Sequence, residues 1–256
     1  MVAIGHFVPP NLKREFYHGV GGHKGTRHNG LDPYGFSTEG LVLYLPLPIL
    51  KNSSFKSVDA YKPTATVTGA LWGPTGRTFD GTDDVITIPD AASISALSPI
   101  SVEVWFLSDG TPAGEEGIIS KAGADVADRE WNLLMDTSGR IGFVQWGGVT
   151  NYLLAVGTND FSGSGWHHAL VSWDGVNATG HIVITIDGAV EALTTDSKVA
   201  GGGVAQDTGT DIEVGREYVN NDNCFTGKIG EAWVYNRTLP TGEANHNDDC
   251  TRWRYQ

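Results

Sequence analysis

The sequence predicts an all-β protein, a two-sheet antiparallel β-sandwich preceded by an extended N-terminal arm. From Gly40 onward, short runs of β-branched and aromatic residues alternate with Gly, Asp, Asn and Ser, as in strands joined by turns. No helical pattern follows the individual strands, as a parallel sheet with crossover helices would require. With 256 residues, the chain is long enough to fill one large sandwich.

The first segment, residues 1–38, is predicted to be an extended arm, and residues 39–256 a single domain. The arm is rich in Gly and His and shows no sustained period of either strand or helix. An extended segment without a core can bury its apolar side chains only on a partner. We therefore expect it to anchor the protein to neighbouring subunits through its aromatic residues Phe7, Phe16, Tyr17, Tyr34 and Phe36.

The domain that follows contains a series of short candidate strands. Two pairs are joined by turn sequences, residues 136–139 and 187–188, that supply the positive-φ positions of tight hairpins. The candidate strands are 41–46, 65–72, 77–80, 84–88, 100–107, 117–121, 130–136, 140–146, 151–156, 166–174, 181–187, 189–195, 211–215 and 225–236.

Charge and hydropathy exclude several classes of partner. The net charge of −13 argues against nucleic acid, which requires clustered Lys and Arg. The acidity is uneven, since residues 1–40 hold four cations and three acids. No run approaches the roughly 18 apolar residues of a membrane-spanning helix, and the N-terminus lacks a leader pattern. We expect a soluble, leaderless chain that does not insert into membranes.

Four sequence blocks resemble the laminin-G-like and concanavalin-A-like jelly rolls. The likeness runs over most of residues 40–240, and the blocks are RTFDGTDDVITI at 77–88, ISVEVWF at 100–106, GWHHALVSWDG at 165–175 and FTGKIGEAWVYNR at 225–237. The resemblance implies a jelly-roll sandwich. It does not fix the function, since this fold serves lectins, glycosidases, adhesion modules and capsid components.

The blocks also have a physical interpretation of their own. One predicted strand begins at Trp166. Its alternate residues are expected to face one side of the sheet, and the residues between them the other; the first set is His167, Ala169, Val171 and Trp173. Gly227 and Gly230 interrupt the last strand, where a bulge or a close backbone approach is expected.

Two cysteines, Cys224 and Cys250, lie near the C-terminus. On the sequence alone they form either a disulfide or two buried thiols, because two thiols cannot complete a zinc site and no Cys-x-x-Cys motif is present. The resemblance implies the disulfide, since laminin-G-like domains often tie the chain end back in this region.

Enzymatic chemistry finds little support in the sequence, and we expect a protein that is not an enzyme. The related retaining glucanases carry Glu-x-Asp-x-x-Glu on one strand, a motif absent from this sequence. No Gly-x-Ser-x-Gly elbow frames a nucleophile, and no phosphate-binding loop is present. The pair His167-His168 is interpreted as packed strand histidines.

Two kinds of binding site have candidates. Asp80, Asp83 and Asp84 are candidate calcium ligands, although Asp residues in such turns more often bond to the backbone. Calcium is the one cofactor considered. Trp146, Asn151 and Tyr152 lie beside loops and are the candidates for glycan binding, with packing as the alternative role for each.

The sequence as a whole resembles phage-encoded and metagenomic jelly-roll proteins, on residues 40–47 and 55–61. The leading hypothesis is therefore a capsid decoration protein or a tail or fibre adhesin at the virion surface. Its partners would be other virion subunits, further copies of the same chain, and host glycans. By analogy with other decoration and fibre proteins, the copies would form a trimer. The alternative is a secreted or cell-surface carbohydrate-binding module, and a third is an atypical glycosidase.

Overall fold

The computed structural model describes residues 35–218 and 223–256. The predicted anchors Phe7, Phe16, Tyr17 and Tyr34 lie outside the described residues. Within them the chain forms one eight-stranded and one nine-stranded sheet, and every named strand pair is antiparallel. The predicted antiparallel β-sandwich is confirmed.

The eight-stranded sheet, called sheet A, is built around its longest strand, β17. It has the order β14-β13-β12-β7-β17-β5-β4, and β1 also pairs with β17. Its strands are β1 (Leu41–Pro46), β4 (Leu71–Gly73), β5 (Gly76–Asp80), β7 (Ile100–Ser108), β12 (His167–Trp173), β13 (Ile182–Ile186), β14 (Ala189–Val190) and β17 (Thr226–Tyr235).

The nine-stranded sheet, called sheet B, carries the hairpin region in which the glycan-binding residues were predicted. Its order is β15-β11-β10-β9-β8-β16-β6-β3-β2. Its strands are β2 (Ser54–Lys56), β3 (Thr64–Thr68), β6 (Val85–Ile88), β8 (Glu116–Ala122), β9 (Arg129–Met135), β10 (Ile141–Trp146), β11 (Tyr152–Gly157), β15 (Leu193–Val199) and β16 (Ile212–Val214).

The main core lies between the two sheets and follows the alternation of side chains along each strand. In β12, Ala169, Val171 and Trp173 belong to this core, whereas Leu170 belongs to a second apolar cluster on the opposite side. Because side chains alternate across a strand, this is the arrangement expected for a sheet that is covered on both faces.

The second cluster covers the outer face of sheet A, the face directed away from sheet B. Trp105, Leu170 and Trp233 extend from the sheet, and Tyr255 from the C-terminal segment packs on Trp105 with ring centroids 4.5 Å apart. The cover is the helix α1 (Thr241–Thr251) and the 3-10 turn that follows it, Arg252–Arg254.

Helix α1 was not predicted because the face that it buries is largely polar. Ala244, Asn247, Asp248 and Thr251 are buried at helical spacing. Thr251 Oγ1 accepts a hydrogen bond of 2.8 Å from Trp105 Nε1, and Asn247 Nδ2 donates one of 2.8 Å to Glu103 Oε2. A sequence search for an apolar stripe could not detect a helix that docks through hydrogen bonds.

The two glycines of β17 have the role that the sequence indicated. Gly227 has φ +147°, and a Cβ atom there would lie 2.1 Å from the carbonyl oxygen of Leu107. A Cβ at Gly230 would lie 2.4 Å from the ring of Tyr255. The register with β7 shifts between Ile229 and Ala232. β17 thus accepts a neighbouring backbone and an aromatic ring at positions where only glycine fits.

Phe36, predicted as an anchor of the arm, is buried against its own domain. It packs edge-on against Tyr44 and Trp233, with centroids 4.8 and 5.7 Å away. The next residue, Ser37, donates its backbone N–H to Asn247 Oδ1 at 2.8 Å. The side chain of Phe36 is therefore already occupied within the domain and is not presented to a neighbouring subunit.

The disulfide between Cys224 and Cys250 is not formed, which corrects the prediction; both residues are buried thiols. Cys224 Sγ lies 3.2 Å from the carbonyl oxygen of Thr82, before β17 begins. Cys250 lies on α1, where its Sγ atom is 3.6 Å from Nε2 of His246.

Two of the predicted strands are each divided by a turn. The run 65–72 becomes β3 and β4, separated at Gly69, which has φ +72°. The run 189–195 becomes β14 and β15, which belong to different sheets. The short strand β2 was not predicted.

Among the described residues, no helix has the length and apolar character needed to cross a membrane.

Replacing Phe36 with Ala is expected to destabilise the domain by about 3 kcal/mol, because it empties a buried aromatic site. The measurement is urea unfolding followed by tryptophan fluorescence. Tyr61→Ala is the matched control, since Tyr61 is 57% exposed, and it should change the free energy of unfolding little. Equal stabilities of the two variants would contradict the packing of Phe36 on the domain.

Candidate functional site

A cluster of aromatic rings around Arg129 lies at one end of the β9-β10-β11 region of sheet B. The guanidinium carbon of Arg129 lies 4.1 Å from the ring centroid of Tyr218 and 5.2 Å from that of Trp146. Trp146 in turn lies 4.9 Å from Tyr152. These four residues are called the Arg129 cluster. It combines one cation with three aromatic rings.

The cluster is positioned by a tight hairpin and by two separate loops. Trp146 ends β10, Tyr152 begins β11, and the two residues are directly paired. The hairpin closes with a hydrogen bond of 2.8 Å from the N–H of Gly147 to the carbonyl of Asn151. The start of β9 is held by Gln206, whose Nε2 donates to the carbonyl oxygen of Arg129 at 2.6 Å.

Two of the three residues predicted for glycan binding belong to the cluster, and the third supports it. Trp146 and Tyr152 are half-buried, so that part of each ring remains accessible. Asn151 instead accepts a hydrogen bond of 2.9 Å from the N–H of Gly201 through its Oδ1 atom. Asn151 therefore fixes the hairpin against the loop that follows β15.

Arg129 retains capacity for a further hydrogen-bond partner. Its Nε atom is buried and has no hydrogen-bond partner in the described parts of the chain. A guanidinium carries five N–H donors in a planar fork that suits carboxylate or paired oxygen acceptors. A buried donor without a partner costs free energy, so a ligand that supplies an acceptor oxygen here would gain from satisfying it.

A buried carboxylate lies near the cluster. Burial raises the pKa of Glu217 above its usual range, an effect that the amides of Asn223 and Asn132 and the charge of Arg129 partly offset. Asn132 is on the outer face of sheet B, because its neighbours Trp131 and Leu133 face the core. The surroundings of Arg129 thus provide an acid and amides as well as rings.

The sequence did not indicate Arg129, Tyr218 or Glu217. Arg129 and Trp146 are on adjacent strands, and Tyr218 comes from the loop after β16, so no local motif joins them. A charged residue at the start of a strand was the only available signal.

Three strand carboxylates, Glu103, Glu213 and Glu231, are engaged in structural contacts. Glu103 accepts hydrogen bonds from Asn247 Nδ2 at 2.8 Å and lies 2.7 Å from His168 Nε2, in the interior. Glu231 accepts from the hydroxyl of Tyr44 at 2.7 Å. Glu213 is paired with Arg216 at 2.6 Å.

The three candidate calcium ligands lie close together in the turn between β5 and β6. Oxygen atoms of Asp80, Asp83 and Asp84 all lie within 4.8 Å of one another. Burial raises the pKa of Asp84, and the negative charges of Asp80 and Asp83 add to this effect. Asp84 Oδ2 accepts from the N–H of Asp80 at 3.0 Å, and Asp80 Oδ1 accepts from that of Thr82 at 2.9 Å. The remaining oxygens suit a hard cation.

The sequence and the fold identify this chain as a concanavalin-A-like domain. The model described as "Concanavalin A-like lectin/glucanases superfamily", a laminin-G model, matches residues 80–245, more than half of the chain. The chain belongs to this family. A comparison with curated proteins gave no match.

Solved structures with the same fold include enzymes and binding domains. Trypanosoma rangeli sialidase in complex with sialic acid superposes with a TM-score of 0.63 and 16% identity, over 83% of this chain and 33% of the sialidase. The binding domain of Paraclostridial Mosquitocidal Protein 1 gives 0.60 and 14%, over 82% of this chain and 52% of that one. This chain therefore spans about a third to a half of these proteins, and the likeness establishes the fold alone.

Calcium at millimolar concentration is expected to stabilise the domain by about 1–3 kcal/mol if Asp80, Asp83 and Asp84 bind it, because a ligand that binds only the folded state shifts unfolding by mass action. Thermal unfolding with calcium and with a chelator measures the effect. Asp83→Asn should abolish the increase, whereas Asp125→Asn in an exposed loop should preserve it. A melting temperature that does not respond to calcium would remove this site.

Proposed function

We propose that this domain is a carbohydrate-binding module and that the Arg129 cluster is its glycan site. The observation that carries the proposal is the guanidinium of Arg129, held between the rings of Tyr218 and Trp146 with its buried Nε lacking a partner among the described residues. Protein sites for small polar ligands combine apolar and aromatic walls with a few directed polar groups.

The chemistry of a sugar fits these groups. The ring faces of Trp146 and Tyr152 offer apolar surface for the C–H face of a pyranose, and the N–H groups of Arg129 offer donors for its hydroxyl or carboxylate oxygens. The concanavalin-A-like fold, which lectins share with glucanases, supports the same function. Because this fold also serves enzymes, a binding role is a proposal that rests on the cluster.

Replacing Trp146 with Ala is expected to weaken glycan binding at least about tenfold, since it removes the central ring of the cluster. A glycan array with the wild-type protein identifies a ligand, and calorimetry then compares the variants. Arg129→Met, which keeps the aliphatic stem and removes the guanidinium, should weaken the same ligand.

Trp72→Ala is the matched control, because Trp72 is also partly exposed and faces a cation, Lys51 Nζ at 4.4 Å from its ring centroid. It should leave affinity unchanged. If no glycan on the array is retained by the wild-type protein, or if Trp146→Ala binds as tightly as Trp72→Ala, the assignment of the cluster fails.

The second part of the proposal concerns where the domain acts. We propose that residues 1–34 attach it to a larger assembly, at a virion surface or, in the alternative, at a cell surface or in the secreted fraction. The different charge balance of the first forty residues and the likeness of residues 40–47 and 55–61 to phage-encoded proteins support it. Copies of this chain, other particle subunits and surface glycans are the proposed partners.

Light scattering of the full chain beside a chain that starts at Gly35 tests this attachment. The shorter chain begins at Gly35 so that Phe36 remains in its site against Tyr44 and Trp233. We expect an oligomer for the full chain and a monomer for the shorter one, because only the first contains residues 1–34. Monomers in both cases would exclude self-assembly through these residues.

A further inference from the structure

Three residues outside the Arg129 cluster form a continuous chain of hydrogen bonds. Ser164 Oγ lies 2.7 Å from His167 Nε2, and His167 Nδ1 lies 2.7 Å from Asp187 Oδ2. The Ser164 hydroxyl also lies 3.1 Å from the carbonyl oxygen of Phe161, which is the longer of its two contacts. His167 begins β12, Ser164 precedes it in a glycine-flanked loop, and Asp187 occupies the turn between β13 and β14. A serine bonded to a histidine that is bonded to a carboxylate is the arrangement of a catalytic triad, which is identified by its geometry and not by the order of its residues in the sequence.

The hydrogen bonds define the role of each group. The Asp187 carboxylate accepts the proton of Nδ1, which leaves the lone pair of Nε2 directed at the serine hydroxyl. Asp187 is itself held by the N–H of His168, which donates to its Oδ1 at 2.8 Å. The contacts from His167 and from the His168 N–H outweigh burial and lower the pKa of Asp187. The carboxylate is therefore kept charged.

The histidine is shielded, whereas the serine is open. The imidazole of His167 lies 5.0 Å from the ring of Phe161 and 5.8 Å from that of Phe106. Ser164 is exposed and lies between Gly163 and Gly165. A Cβ atom built at Gly165 would have no heavy atom within 4 Å. A small substrate can therefore approach the hydroxyl without displacing a side chain.

One further feature favours chemistry at this position. The N–H groups of Ser164 and Gly165 donate to no acceptor within residues 35–218 and 223–256, so they are available to a developing oxyanion.

We propose that Ser164, His167 and Asp187 form an acyl-transfer site that hydrolyses esters of small carboxylic acids. This inference does not depend on glycan binding at the Arg129 cluster. Ser164 and His167 are the catalytic residues, and Asp187 is a positioning residue that sets the tautomer of His167.

The reaction proceeds in two balanced steps. Ser164 Oγ attacks the ester carbonyl carbon, its proton passes to His167 Nε2, and the ester C–O bond breaks as that proton is delivered to the leaving alcohol. Water then attacks the acyl carbon, gives a proton to Nε2, and releases the acid as the serine oxygen recovers that proton.

The test uses the full chain with p-nitrophenyl acetate as substrate and a fluorophosphonate as covalent probe. We expect wild-type protein to hydrolyse the ester and to be labelled at Ser164 with loss of fluoride, as located by mass spectrometry. Ser164→Ala should lower hydrolysis at least about 100-fold and abolish the labelling. The exposed serine can be replaced without loss of packing, so this variant keeps the fold.

The chain offers a matched control in a second histidine–aspartate pair. His181 Nδ1 lies 2.7 Å from Asp174 Oδ2, with no serine bonded to its other nitrogen among the described residues. His181→Gln should therefore retain full activity, whereas His167→Gln should lose it. A wild-type rate equal to that of Ser164→Ala, or labelling elsewhere than Ser164, would overturn the proposal.

Asp187 is tested by a spectroscopic signature. An imidazole N–H bonded to a carboxylate gives a far-downfield proton resonance. His181→Gln identifies the signal of the His181–Asp174 pair, and a signal from His168, which contacts Glu103, should persist in Asp187→Asn. Asp187→Asn should remove the His167 signal and slow hydrolysis while the melting temperature stays close to that of wild type. Retention of the signal and the rate in Asp187→Asn would remove Asp187 from the site.

Discussion

The structure depends on the pairing of β17 at the centre of sheet A. This strand pairs with β1, β5 and β7, so it joins the first strand of the domain to the middle of the chain. Those contacts require the backbone to approach closely at Gly227 and leave no room for a side chain at Gly230. The ring of Tyr255 packs at Gly230, and the C-terminal segment thereby becomes part of the sheet's outer cover.

The outer cover of sheet A is held by hydrogen bonds between buried polar groups as much as by apolar contact. Glu103, His168 and Asn247 form one connected set, and Trp105 bonds to Thr251 beside it. Such groups are costly to bury unless every partner is in place. This requirement fixes the position of α1. It also gives Glu103 a structural role.

The two proposed sites occupy different parts of the sandwich and use different chemistry. The Arg129 cluster is built on sheet B from rings and a cation, whereas Ser164, His167 and Asp187 lie at the end of β12 in sheet A. Each site joins strand ends to loops, where side chains are held by the sheet but remain partly accessible. Residues 40–47 and 55–61 contribute structural contacts instead. Asp59, for example, accepts the N–H of Tyr44 at 3.1 Å.

The sequence by itself determined most of the strands and the alternation of buried and exposed side chains along them. Alternation of side chains in β12 and the turn at Asp187-Gly188 are local properties, so each could be interpreted without knowledge of the rest of the chain. Trp146 and Tyr152 were predictable as candidates because they flank one hairpin. Local patterns therefore account for the sandwich and for half of the Arg129 cluster.

Only the tertiary structure decided which distant segments meet. The order of strands in sheet B brings Arg129 and Tyr218 to Trp146. Asp187 lies in the turn between β13 and β14, and the pairing of β12 with β13 brings it to His167. The disulfide prediction was wrong for the same reason, since the separation of Cys224 and Cys250 depends on where α1 docks. Helix α1 itself docks through polar groups, whose partners are fixed by geometry and leave no periodic signal in the sequence.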